Sequence, residues 1–186
     1  MADTPMRPIF RQAYNVRALA ILGGALIFGP LISWSPQIHY PMVVTLILNN
    51  AVSLTSNILF VLLMTYQLGR LQGIGVFLSV RMGVSNFKAA VFSVLLTDWA
   101  FYTVMLYTIE SVVYGWAHIE TRYVWLFFFV NALMYLLLVF IMTSALAGLP
   151  SVVAAVVAII VEIAFHYLLI VPILPRFVQE FDVTRN

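Results

Sequence analysis

The chain has 186 residues, of which 63% are hydrophobic and only 9% charged, and its mean hydropathy is +1.04. Soluble globular domains carry about a quarter of their residues as charges, so a water-soluble core is excluded and the length suits one transmembrane domain spanning residues 1–186. A net charge of +2 is too small to indicate nucleic acid, and the absence of cysteine excludes disulfides, thiol catalysis and thiolate metal sites.

Residues 1–17 form a basic arm containing Arg7, Arg11 and Arg17, the pattern of an N-terminus held in the cytoplasm. From Arg17 to Arg70 no Asp, Glu, Lys or Arg occurs. That run of about 50 residues is long enough for two crossings of about 20 residues each. The first apolar segment covers residues 18–34 and ends around Gly29-Pro30 and Ser35-Pro36, without a small-x-small cleavage site. The second covers residues 41–67 and carries Asn49, Ser53 and Asn57 at i, i+4 and i+8. These three share a helical face, and such a stripe inside lipid must meet protein or a water-filled path.

Residues 70–86 are too polar and glycine-rich for a span, yet Leu71, Ile74 and Leu78 share one face. An amphipathic helix on the cytoplasmic side follows, with Gly83 as its C-cap and Ser85 or Asn86 as the N-cap of the next span. It rests on the headgroups or docks a partner protein through Arg70, Leu71, Ile74, Leu78 and Arg81. A third span begins near Phe87, runs past Tyr107 and is interrupted by Asp98; a fourth covers residues 123–147 and a fifth residues 151–174. Gly148-Leu149-Pro150 forms a tight turn between the last two. The fold class is therefore an all-α polytopic transmembrane bundle of about five, possibly six, spans. Arg7, Arg11, Arg17, Arg70, Arg81 and Lys88 outnumber Arg122, Arg176 and Arg185 on the other side, which places the N-terminus inside and the tail 176–186 outside.

Asp98 and Glu162 are the carboxylates expected deep within spans, and each costs several kcal/mol if ionised and unpaired. His166 lies one turn after Glu162, at contact spacing along one face. Together with Asn49, Ser53 and Asn57 they make a candidate substrate path, open to two readings: a proton- or cation-coupled site, or intramembrane hydrogen bonding. Two ligands are too few for a metal, and no triad or phosphate cradle points to an enzyme. Ala20-x-x-x-Gly24, Ala25-x-x-x-Gly29, Ser144-x-x-x-Gly148 and Ala154-x-x-x-Ala158 permit close helix packing or a dimer.

The order of a basic arm, two spans, a cytoplasmic helix, Gly83-Val84-Ser85, a span ending in Glu110 with Tyr114-Gly115-Trp116 after it, and two further spans resembles the small permease subunits of ABC-2 type transporters. The likeness extends over residues 10–172, although Asn86 stands where that family often has a basic residue. It implies a coupling helix at residues 70–81 that touches an ATP-binding cassette subunit, and pairing with itself or a related permease among membrane lipids. It also implies export of a lipid, peptide or hydrophobic small molecule from a bacterial plasma membrane. The chain needs no cofactor of its own, because without a Walker loop any ATP is hydrolysed by the partner. Two other readings stand beside it: a small solute-binding subunit or ion-coupled carrier, and a non-transporting anchor of a larger complex.

Overall fold

The computed structural model describes residues 6–33, 54–115 and 121–173, and over them the chain is a helical membrane bundle. A short helix, α1 (Met6–Ala13), precedes α2 (Val16–Ser33), α3 (Ser56–Met82), α4 (Val84–Tyr114), α5 (Thr121–Thr143) and α6 (Ser151–Phe165). A 3-10 turn, Ser144–Ala147, extends α5, and a π turn, His166–Ile170, extends α6. Four of these segments are long and apolar enough to cross a membrane, and the shorter apolar stretch Val16–Leu31 lies within α2.

The connection between α1 and α2 follows from Asn15. Its Oδ1 accepts from the backbone N–H groups of Arg17 (2.9 Å) and Ala18 (3.1 Å), satisfying two donors left open by the first turn of α2. The expected basic arm is thus partly a helix. Ile9 and Ala13 are fully buried against the bundle while Arg11 faces outward. α2 continues past Gly29 and carries Pro30 in its last described turn, where the missing N–H removes one ladder bond. The Tyr114 hydroxyl donates to the Pro30 carbonyl at 2.8 Å, so the end of α4 lies beside the end of α2.

Residues 70–82 correct one expectation. They do not form a separate amphipathic helix, because α3 runs unbroken through Met82. The isolated glycines Gly69, Gly73 and Gly75 weaken a helix without stopping it. The break falls at Gly83, whose φ of 86° and ψ of 147° favour glycine. Asn86 does not cap α4 by accepting an N–H; its Nδ2 donates to the Met82 carbonyl at 2.8 Å and closes the end of α3. At the other tight turn, Gly148 adopts the left-handed conformation (φ 112°) ahead of Pro150, as a C-terminal glycine should.

α3 is the central helix and packs against α1, α2, α4, α5 and α6. Its buried residues Asn57, Phe60, Met64, Gln67 and Leu71 alternate spacings of three and four, a seam facing the interior. Tyr66 of α3 reaches Asn15 at the start of α2, and Gln72 reaches the Ala145 carbonyl after α5. The start of α2, the middle of α3 and the α5–α6 turn therefore meet at one level of the bundle, with Arg11, Arg17 and Arg70, and the last ten residues of α3 run on beyond it. The small-residue repeats behave unequally. Ala25, Gly29, Ala154 and Ala158 are buried, whereas Ala20 and Gly148 are exposed.

Candidate functional site

A single stripe at i+4 spacing along α6 and the π turn that extends it, Ala154, Ala158, Glu162, His166 and Ile170, faces inward and is buried throughout. The small residues let α6 approach α3 closely, which brings Glu162 to the first turn of α3. There Asn57 Nδ2 donates to Glu162 Oε1, and Asn57 Oδ1 accepts from the Tyr102 hydroxyl at 2.8 Å. One amide thus joins α3, α4 and α6. An Asn suits this place because its side chain donates and accepts at once.

Aromatic rings wall the amide off. Phe60 and Tyr102 stack with ring centres 4.2 Å apart, and Tyr135 of α5 stands edge-on to Tyr102 at 5.3 Å. Tyr102 and Phe60 are completely buried and Tyr135 nearly so. Further along α4, two turns beyond Tyr102, sits Glu110, 1% exposed and without a hydrogen-bond partner on either oxygen among the described residues. Tyr107, one turn before it, accepts a 2.7 Å bond from Asn131 Nδ2 of α5.

Among the described residues three carboxylates are therefore buried, not the two expected from the sequence. Glu110 was read as the end of a span, but α4 extends to Tyr114 and keeps it inside. Asp98, Tyr102, Leu106 and Glu110 recur every four residues on one face, a spacing that puts Glu110 on the same buried side as Asp98.

Asp98 forms a second polar island nearer the arginine-rich end. Its polar neighbours are Tyr14 and Gln67, although among the described residues neither atom of the Gln67 amide reaches a partner in hydrogen-bond geometry and Asp98 Oδ2 has none either. The Tyr14 hydroxyl has the Val94 carbonyl at 3.5 Å. Burial, reinforced by the adjacent Asp98 carboxyl, holds the Tyr14 phenol above its ordinary pKa. Along α3, Phe60 and Met64 lie between Asn57 and Gln67, both buried and apolar, and separate the islands.

Of the expected path residues, Asn57 and Glu162 meet directly and His166 is buried on the same α6 face. Asp98 belongs to the separate island, and Asn49 and Ser53 lie outside the described residues, as does the tail 176–186. Tyr102, Tyr107 and Gln67 carry no signal in the sequence, because tyrosines and an amide in an apolar helix look like ordinary packing until their neighbours are known.

The expected docking residues divide similarly. Leu71 is completely buried, and Ile74 and Leu78 pack on the core, so the shared face turns inward onto the chain itself. Arg70 Nη2 donates to Gln12 Oε1 at 2.7 Å, and its guanidinium lies over the Tyr66 ring, 5.9 Å from the centroid. It ties α1 to α3. Arg81, Val76, Phe77 and Val80 remain exposed.

In a low-dielectric interior an ionised, unpartnered carboxylate is strongly penalised, so Glu110, Glu162 and Asp98 each require a proton, a cation or water. The arrangement can take up and release protons or hold a small cation. Among the described residues no three His, Asp or Glu side chains converge as a metal-binding group. Comparison with family models, with curated proteins and with solved structures finds no match, so the site rests on its geometry.

Proposed function

We propose that this chain is a proton- or cation-coupled membrane transport protein in which the Asn57–Tyr102–Glu162 junction and Glu110 form the coupling site. The observation that supports this reading is the set of carboxylate oxygens buried in the bundle without partners among the described residues: Asp98 Oδ2, both oxygens of Glu110 and Glu162 Oε2. A purely structural role would leave few such groups, since buried polar atoms are normally paired. Protonation of Glu162 changes what Asn57 can donate to, and so alters the contact between α3 and α6. That contact is suited to linking an ion to a helix movement.

The test is dissipation of an imposed proton gradient in proteoliposomes, read with a pH-sensitive dye. The wild type is expected to collapse the gradient faster than empty vesicles. Glu162→Gln and Glu110→Gln should each slow this at least tenfold while the protein stays folded. Equal rates for wild type and both variants would reject the proposal.

A second reading, the membrane subunit of an ABC-2 type exporter with a separate ATPase, is favoured by one feature. Val76, Phe77 and Val80 are each more than 70% exposed at the arginine-rich end of α3, beside Arg81. In this reading they meet the partner and Leu71 does not. Co-purification of an ATP-binding subunit that is lost in Phe77→Asp would support it; a chain that purifies alone and still moves protons would exclude it.

A further inference from the structure

Between α1 and the last turns of α3 lies a cavity of about 1130 Å³, lined by Pro8, Phe10, Gln12 and Tyr14 on one side and Ile74, Phe77 and Leu78 on the other, with Arg11 at its edge. We propose that this groove is a binding site for an anionic phospholipid, its acyl chain against the apolar wall and its phosphate among the arginines. The proposal is independent of how the protein uses its buried carboxylates.

Charge carries the argument. Arg70 precedes Ile74 by one turn and Arg81 follows Phe77 and Leu78 by one turn, so both lie on the α3 face that makes the wall. Arg11 lines the groove itself, and Arg70 and Arg81 flank its α3 wall at either end, about 16 Å apart along the helix. No Asp or Glu occurs between Asp3 and Asp98, a stretch that includes the groove's whole lining. The nearest described carboxylate is Asp98 itself, which is 1% exposed beneath Tyr14 and unavailable to surface arginines. The positive field at the groove therefore lacks a counter-charge from its own lining, and a phosphate supplies one.

Position and shape agree. α3 extends well past the length a bilayer core requires, and its final turns present Val76, Phe77 and Val80 outward. Apolar side chains capped by arginines are the pattern of a headgroup boundary, where an acyl chain and a phosphate are both within reach. Arg70 is already held by Gln12 and Tyr66, so one of the three cations is ordered before any lipid arrives. Such preorganisation favours one bound lipid over a diffuse annulus.

The experiment uses the full chain reconstituted in vesicles of equal phosphatidylglycerol and phosphatidylcholine. Lipids retained after mild extraction are counted by native mass spectrometry, and a photoactivatable phosphatidylglycerol maps the site. The wild type is expected to retain phosphatidylglycerol preferentially and to crosslink within residues 8–14 and 74–81. The double variant Arg11→Gln, Arg81→Gln alters exposed positions and should lower that preference at least about fivefold. Phe77→Ser, also exposed, should lower retention of both lipids. An unchanged preference in the arginine variant, or crosslinks mapping elsewhere, would overturn the proposal. So would a wild type that retains both lipids equally, an outcome that shows no preference of the groove for an anionic headgroup.

Discussion

The side-chain amide of Asn57, in the first turn of α3, bonds Glu162 of α6 through one atom and Tyr102 of α4 through the other. Because a single group holds three helices, its loss is felt as coupling and not only as a missing contact. Asn57→Ala and Glu162→Ala should be non-additive in unfolding free energy. The expected interaction is about 0.6 to 1.7 kcal/mol, the range measured for hydrogen bonds between membrane helices. A double-mutant cycle by steric-trap or denaturant unfolding reads it directly, and additive effects would show that the bond contributes nothing.

Glu110 offers a sharper separation of function from stability. Its oxygens have no partners among the described residues, so replacing it by an uncharged residue of similar size removes a penalty without breaking a bond seen there. Glu110→Gln should leave the thermal midpoint unchanged or raise it. Any loss of ion movement in that variant then reports on chemistry. A large drop in midpoint would mean that Glu110 is a structural partner.

Leu71 and Phe77 lie in the same part of α3 and should respond in opposite ways. Leu71 is completely buried, so Leu71→Ala leaves a cavity and is expected to cost about 2–4 kcal/mol. Phe77 is 75% exposed, and Phe77→Ala should change stability by no more than about 0.5 kcal/mol. Thermal unfolding in detergent distinguishes the two, and equal destabilisation would contradict the inward turn of the Leu71 face.

The clasp between Arg70 and Gln12 predicts a local effect. Gln12→Ala removes the acceptor of a 2.7 Å bond from a charged donor, worth about 1 kcal/mol at an exposed position. Hydrogen exchange in α1 should accelerate about fivefold while exchange in α4 and α5 is unaffected. Acceleration spread evenly over the bundle would show that α1 is not held by this contact.

The helical character of the chain was legible from its residues because charge in a membrane is costly wherever it points. The charge-free run, the tight turn at Gly148 and the C-cap at Gly83 all followed from local rules. The continuity of α3 did not. The glycines and polar residues of 70–82 resemble a break, yet packing of Leu71, Ile74 and Leu78 on the core carries the helix through them. Glu162 and Asn57 were identifiable separately, since a polar residue in an apolar helix must satisfy itself somewhere.

Their meeting was not legible, for a physical reason. In a membrane helix the face toward lipid and the face toward protein are both apolar, so periodicity that marks the buried side of a soluble helix is nearly absent. Sequence alone therefore determined that the chain is a bundle of membrane helices with polar groups it must hide. Only the tertiary structure decided where they are hidden. It places Glu110 inside, joins Asn57 to Glu162 and Tyr102, leaves Asp98 with Tyr14 and Gln67, and sets Arg70 as a clasp on α1.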